Sequence, residues 1–192
     1  SRNITVYLDV PVGTAIGQVL TSASWVSSPL SEITLTNNTF DLEQTVTASF
    51  DPNDKRVRTS TEWSDTQYFI GSDGWLDYTV RFQNTGTDTA FTVVITDSLD
   101  IDLDQATYEQ GQASHPFDVE FLPGRVVQWT FPNILLPDSG TNEPASHGLV
   151  QFRIRPMQPE IAGTEIVNAA DIFFDFNPPV RTNDVVVVLE TS

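Results

Sequence analysis

The 192-residue chain carries 26 acidic side chains against nine basic ones, a formal charge of −17. Such a surface repels phosphate backbones and anionic lipid, which argues against a nucleic-acid partner and against membrane insertion. Cysteine is absent, so a disulfide framework and thiolate metal sites are excluded, and no apolar run approaches the ~20 residues that a membrane helix needs.

Recurrent Thr, Val and Phe in short alternating runs, punctuated by twelve Pro and ten Gly, predict an all-β chain. No stretch keeps helical spacing for more than about two turns. The chain opens with SRNITVYLDV, without an initiator Met or a signal peptide, and so reads as a fragment or a processed chain. Residues 3 to 10 alternate, with Ile4, Val6, Leu8 and Val10 on one face, until Pro11-Val12-Gly13 ends the strand. A second strand is expected from about Gly17 to Val26, then a turn at Asn37-Asn38 and a third run from Phe40 to Ala48.

The end of the chain has a similar order. Gly13-Thr14-Ala15-Ile16 matches Gly163-Thr164-Glu165-Ile166, and Thr36-Asn37-Asn38 matches Thr182-Asn183-Asp184 ahead of the run Val185 to Leu189. Residues 1 to 48 therefore read as the last three strands of one module, and 49 to 192 as a complete second module of related fold. Three strands alone leave an apolar face and an edge uncovered. The expected cover is a neighbouring module, the upstream half of the same module, or strands from another copy of the chain. A single larger sandwich of all 192 residues is the alternative.

Within the second module a first strand is expected at Arg56 to Thr59, then an irregular stretch from Trp63 to Ile70 and a turn at Gly71-Ser72-Asp73-Gly74. Leu76, Tyr78, Val80 and Phe82 then alternate with Asp77, Thr79, Arg81 and Gln83, the pattern of a half-buried strand. Asn84-Thr85-Gly86-Thr87-Asp88 suits a chain reversal, and Phe91, Val93 and Ile95 then fall on one side of a second strand with Thr92, Val94 and Thr96 on the other, so the pair reads as a hairpin. Leu99 to Asp104 is expected as a short strand or extended loop, followed by strands at Phe117 to Phe121, Val126 to Phe131 and Leu149 to Arg155. The total is about seven strands, the number of an immunoglobulin-like β-sandwich.

Four stretches carry a family resemblance: SFDPNDK at 49 to 55, YTVRFQNTGTDTAFTVVITDSLD at 78 to 100, NILLPDSGTNEPASHGLVQFRI at 133 to 154, and NAADIFFDFNPPVRTN at 168 to 183. Residues 49 to 192 resemble the conserved-repeat, immunoglobulin-like domain of bacterial surface and secreted proteins that often precedes a C-terminal sorting domain of the type IX secretion route. Residues 1 to 48 resemble the closing strands of the module before it. The resemblance implies a β-sandwich, export and a stalk, adhesin or fibre context, with no catalytic activity.

Lys55 is the only lysine. In related surface sandwiches a buried first-strand lysine attacks an asparagine carboxamide in a late strand, with an acid shuttling protons, to give an intramolecular amide. Here Asn168 would be the acceptor and Asp97 the acid. The chemistry needs a lysine neutralised by desolvation and an acid of raised pKa in the same apolar site. The plain alternative is that Lys55 is solvated or pairs with Asp54 and that Asn168 caps a turn.

Asp51, Asn53 and Asp54, with Asp175, offer oxygen ligands for calcium, against the alternative of an Asx turn braced by Pro52. His115 and His147 lie in loops without a third ligand at fixed spacing, and turn hydrogen bonds suit them better than zinc. Trp75 and Trp129 fall within strand patterns and are expected in the core, whereas Trp63 is the candidate for stacking on a glycan. The reading is a non-enzymatic extracellular structural module contacting neighbouring modules or copies of itself, with a carbohydrate- or calcium-dependent binding module as the alternative.

Overall fold

The computed structural model describes residues 19–25, 38–45 and 52–191. The strand expected over residues 3 to 10, Gly13 to Ile16 and Thr36-Asn37 of the repeat matches, and Asp51 lie outside the described residues. The chain divides into two units, Ser1–Phe50 and Asp51–Ser192. In the first, β1 (Val19–Trp25) pairs antiparallel with β2 (Thr39–Thr45), with Val19 opposite Thr45 and Trp25 opposite Thr39.

The described residues of the second unit form twelve strands. In chain order they are β3 (Asp54–Thr59), β4 (Gln67–Ile70), β5 (Leu76–Gln83), β6 (Val93–Ser98), β7 (Leu103–Ala113), β8 (Asp118–Leu122), β9 (Val126–Phe131), β10 (His147–Pro156), β11 (Glu165–Asn168), β12 (Ala170–Phe174), β13 (Val180–Arg181) and β14 (Val185–Thr191). A single turn of helix, α1 (Ser139–Asn142), is capped by the Asp138 side chain, which accepts from Thr141 N. A four-stranded sheet runs β3-β5-β10-β7, a five-stranded sheet β13-β12-β6-β9-β8, and a three-stranded sheet β11-β14-β4.

The expected all-β, immunoglobulin-like sandwich is the observed fold. Its described strands outnumber the expected seven, in part because stretches read as irregular or loop are strands, such as β4 and β7, and in part because the chain changes sheets. Residues 165 to 174 are nearly continuous, yet β11 pairs with β14 whereas β12 pairs with β6.

The expected hairpin at Leu76 to Leu99 is corrected. β5 pairs with β3 and β10, and β6 pairs with β12 and β9, so the two strands lie in different sheets. Alternation specifies which side of a strand is buried and leaves its hydrogen-bonding partner open; Val93 and Ile95 are buried as expected, whereas Phe91, expected in the same row, precedes β6 and is exposed. The intervening loop is held elsewhere: Asn84 Nδ2 donates to Asp88 O and Leu136 O, and Ala90 bridges Leu136.

The two large sheets meet through their alternating rows. Leu76, Tyr78, Val80 and Phe82 of β5 and Val150, Phe152 and Ile154 of β10 are buried from one side, Val93 and Ile95 of β6 and Val127, Trp129 and Phe131 of β9 from the other. Phe152 is the hub, with ring centroids 5.0 Å from Tyr78, 5.4 Å from Trp129 and 5.5 Å from Tyr108. On the outer face of the four-stranded sheet, register sets Arg58, Asp77, Arg153 and Glu109 side by side, so opposite charges are neighbours across every strand pair. Arg153 Nε donates to Glu109 at 2.8 Å.

Gly148 lies opposite Phe82, and a Cβ there would come within 2.2 Å of the ring. Gly148→Ala is therefore expected to destabilise the sandwich by about 1–3 kcal/mol through overpacking, read as a lower midpoint of urea unfolding.

Candidate functional site

Three strands deliver three polar side chains to one point in the core. On β3, Arg56 and Arg58 face outward while Lys55 and Val57 face inward, and Lys55 is 1% exposed. On β6, Asp97 continues the buried row of Val93 and Ile95. Asn168 ends β11 just before the chain changes sheets, and it is buried as well. Ala170, two residues on and on the same parity, is the register partner of Asp97. The topology thus brings Asn168 to Asp97.

Lys55 Nζ donates a hydrogen bond to Asp97 Oδ2, with both side chains fully buried. The ammonium lies 4.8 Å from the Tyr78 ring centroid and 5.4 Å from that of Phe152. Burial is the dominant influence on both partners: it pushes Lys55 below its ordinary value and Asp97 above its own, and their mutual attraction opposes both shifts. Desolvation therefore favours the state in which lysine is an amine and aspartate a carboxylic acid.

Four buried polar atoms here have no hydrogen-bond partner among the described residues: Asp97 Oδ1, Asn168 Oδ1, Asn168 Nδ2 and the Tyr78 hydroxyl. The Asn168 amide is nonetheless close enough to Asp97 and Tyr78 to oppose the upward push that burial gives each of them. Native interiors pair nearly all such groups. An amine, a carboxyl group, a carboxamide and a phenol thus share one dry, incompletely bonded pocket.

Asparagine side chains fix Lys55 from outside. Asn183 Oδ1 accepts from Lys55 N and its Nδ2 donates to Lys55 O, both at 3.0 Å, standing in for a neighbouring strand. Asn53 Oδ1 accepts from Gln83 N at 3.1 Å. Thr182 Oγ1 accepts from Ala170 N at 3.0 Å and anchors the start of β12.

Of the oxygens proposed for calcium, the described ones have other bonds. Asp54 accepts from Arg81 Nε at 2.6 Å and from Arg56 Nε at 3.0 Å, and Asp175 accepts from Phe91 N at 2.9 Å and Thr92 N at 2.7 Å. No group of three or more His, Cys, Asp or Glu that could hold a metal occurs among the described residues. Lys55 does not pair with Asp54, which serves the two arginines. His115 meets Ser114 Oγ at 2.8 Å and His147 meets Glu143 at 2.9 Å, local bonds of the expected kind. Trp129 is buried and donates to Gln110 Oε1 at 2.8 Å. Trp75 is half-buried, flanked by the guanidinium groups of Arg153 and Arg155 at 4.5 Å and 4.2 Å from its ring centroid. Trp63 is exposed, 6.0 Å from Phe69.

Residues 51–188 match the family model described as a domain of unknown function, DUF7619. The chain belongs to this family. No curated protein matches the DUF7619 chain. Similar solved structures include the collagen-binding domain of a Staphylococcus aureus adhesin, at 9% identity and TM-score 0.43, covering 75% of this chain and 100% of that one. Others are the major pilin SpaD of Corynebacterium diphtheriae (18%, TM-score 0.46, covering 70% and 34% of the two chains) and the major pilin subunit BcpA of Bacillus cereus (15%, TM-score 0.48, 88% and 48%). The DUF7619 chain thus spans 34% and 48% of the two pilin chains. Likenesses at this level carry no functional argument.

Tyr78 and Phe152 were not legible as members of this site. The signal that existed was parity: Lys55, Asp97 and Asn168 each occupy an inward position of an alternating strand, where a polar residue needs a reason.

Two other buried carboxylates set the acid response. Burial pushes Asp54 up but the Arg81 and Arg56 bonds outweigh it, and Asp73 is likewise pushed up by burial but held low overall by the Phe69 and Thr61 amides. Depressed folded values stabilise the fold above the unfolded carboxylate value of about 3.9, and that contribution is lost as pH falls through the lower folded values. Urea midpoints are therefore expected to drop below about pH 4, with a shallower drop in Asp73→Asn.

Proposed function

We propose that this DUF7619 module is a non-enzymatic structural unit of an extracellular bacterial stalk, adhesin or fibre, tied internally by an amide between Lys55 and Asn168. The buried Lys55–Asp97–Asn168 cluster, two of its members lacking bonds they should have, is the observation that carries this reading. The amine of Lys55 attacks Asn168 Cγ, forming the new C–N bond. Asp97 takes a proton from Nζ and gives one to Nδ2, and the Cγ–Nδ2 bond breaks to release ammonia. One amine and one carboxamide become one secondary amide and ammonia, with no oxidant or external reactant.

The benefit is mechanical. Asn168 follows Lys55 by 113 residues (168 − 55), and closing a loop of that length is worth about 5 kcal/mol in the chain-entropy model. A chain without cysteine gains by this bond what others gain from a disulfide. The surface charge of −17 supports a solvated, exported setting. Residues 1 to 48 act, in this reading, as closing strands of a preceding module completed by that module or another copy, and the sequence resemblance supports export by the type IX route.

A carbohydrate- or calcium-dependent binding module is the second reading. The exposed Trp63 beside Phe69 favours it, and glycan titration followed by tryptophan fluorescence tests it.

Intact mass tests the first reading: the purified chain is expected to be lighter than its sequence by one ammonia, and Lys55→Arg, Asn168→Ala and Asp97→Ala chains are expected at full mass. A wild-type chain at full mass would refute the bond. Thermal unfolding should place the Asn168→Ala chain well below wild type, in the direction of the ~5 kcal/mol above.

A further inference from the structure

The Tyr78 phenol has no role in the reaction written above, yet its position calls for one. Its ring stacks on Phe152 and supports the Lys55 ammonium, which any aromatic could do. Its hydroxyl is buried and bonds to no described residue, on a ring 4.8 Å from the Lys55 Nζ that pairs with Asp97, and the Asn168 carboxamide is likewise buried with neither polar atom bonded among the described residues. Phenylalanine would pack the same volume without leaving a buried hydroxyl unbonded, so stability alone gives no reason for tyrosine here.

We infer that Tyr78 is the oxyanion donor of the cross-linking reaction, giving its O–H hydrogen bond to the Asn168 Oδ1 once that oxygen gains negative charge as Lys55 attacks. This inference rests on the amide reading. As Nζ bonds to Cγ, the carbonyl π pair moves onto Oδ1. The Tyr78 O–H donates a hydrogen bond to that oxygen and keeps its proton. When the carbonyl re-forms, the pair returns and the Cγ–Nδ2 bond breaks, with Asp97 supplying the proton that ammonia carries away. Burial holds the phenol well above its ordinary value, so it acts as a neutral donor and not as a competing acid. The same dry surroundings that neutralise Lys55 strengthen this hydrogen bond as charge develops. Division of labour follows: Asp97 moves protons, and Tyr78 stabilises charge.

The test follows ammonia loss over time in full-length chains freshly made by cell-free translation, read by intact mass. Wild type and Tyr78→Phe are compared, with Asn168→Ala and Tyr78→Phe/Asn168→Ala as chains that cannot cross-link. Tyr78→Phe/Asn168→Ala is expected to melt no lower than Asn168→Ala, since a buried, unbonded hydroxyl gives the fold no bond to lose. With stability thus preserved, Tyr78→Phe is expected to lose ammonia at least tenfold more slowly than wild type. Loss at the wild-type rate would overturn the role of Tyr78 and leave the cross-link standing. A wild-type chain that never loses ammonia would overturn the underlying reading. Should the phenylalanine chains not fold, a crystal structure of the cross-linked wild type decides. Tyr78 Oη within hydrogen-bond distance of the new amide's oxygen supports the role, and a hydroxyl turned away from it refutes it.

Discussion

Everything at the centre of this sandwich depends on putting a lysine where water cannot reach it. Removing a charged amine and a carboxylate from solvent costs several kcal/mol for each ion, and their attraction offsets that only with good geometry and full hydrogen bonding. Here bonding is incomplete, with Asp97 Oδ1 and both polar atoms of the Asn168 side chain unpartnered among the described residues. The cheaper arrangement is a neutral amine beside a neutral acid, and an amine without its proton is a nucleophile. The aromatic hub around Phe152, drawn from both large sheets, thus packs the core and sets the chemical state of Lys55.

Secondary bonding serves the same end. An inward-facing lysine on a sheet's edge strand would be open to water if β3 could peel away. Asn183 prevents this by pairing with both the N–H and the C=O of Lys55 across 128 residues. At the other partner, Thr182 holds Ala170 at the place where the chain leaves one sheet for another, so Asn168 is fixed by a backbone crossing and not by a free loop.

Much of this was readable from the residues, in uneven measure. Alternation in Leu76–Phe82, Val93–Asp97 and Val150–Ile154 identifies the buried faces, because period-two burial is a local property of a strand. Partnership is not local. Val93–Ser98 follows β5 closely in sequence yet crosses to the opposite sheet, and nothing in the intervening Asn-Thr-Gly-Thr-Asp run distinguishes a reversal within a sheet from a passage between sheets. Most of β7 is not legible in the sequence because LDQATYEQGQA has little apolar alternation: it is an edge strand whose pairing with β10 shifts register twice. Lys55, Asp97 and Asn168 were placed together through family resemblance, and the inward parity of all three is an independent reason found in the residues themselves. Tyr78 was hidden by its ordinariness, as one aromatic among several in a buried row.

The last strand, β14, runs parallel to β4, the second strand of the unit, in register from Val188 opposite Gln67 to Thr191 opposite Ile70. Parallel neighbours respond to opposed end forces differently from the two arms of a hairpin. A load entering through the N-terminal side of β4 and leaving through the C-terminal side of β14 runs along both strands, so their ladder is sheared as a block and cannot unzip one rung at a time. The β4–β14 ladder is therefore the part of this sheet that resists such a load as a block.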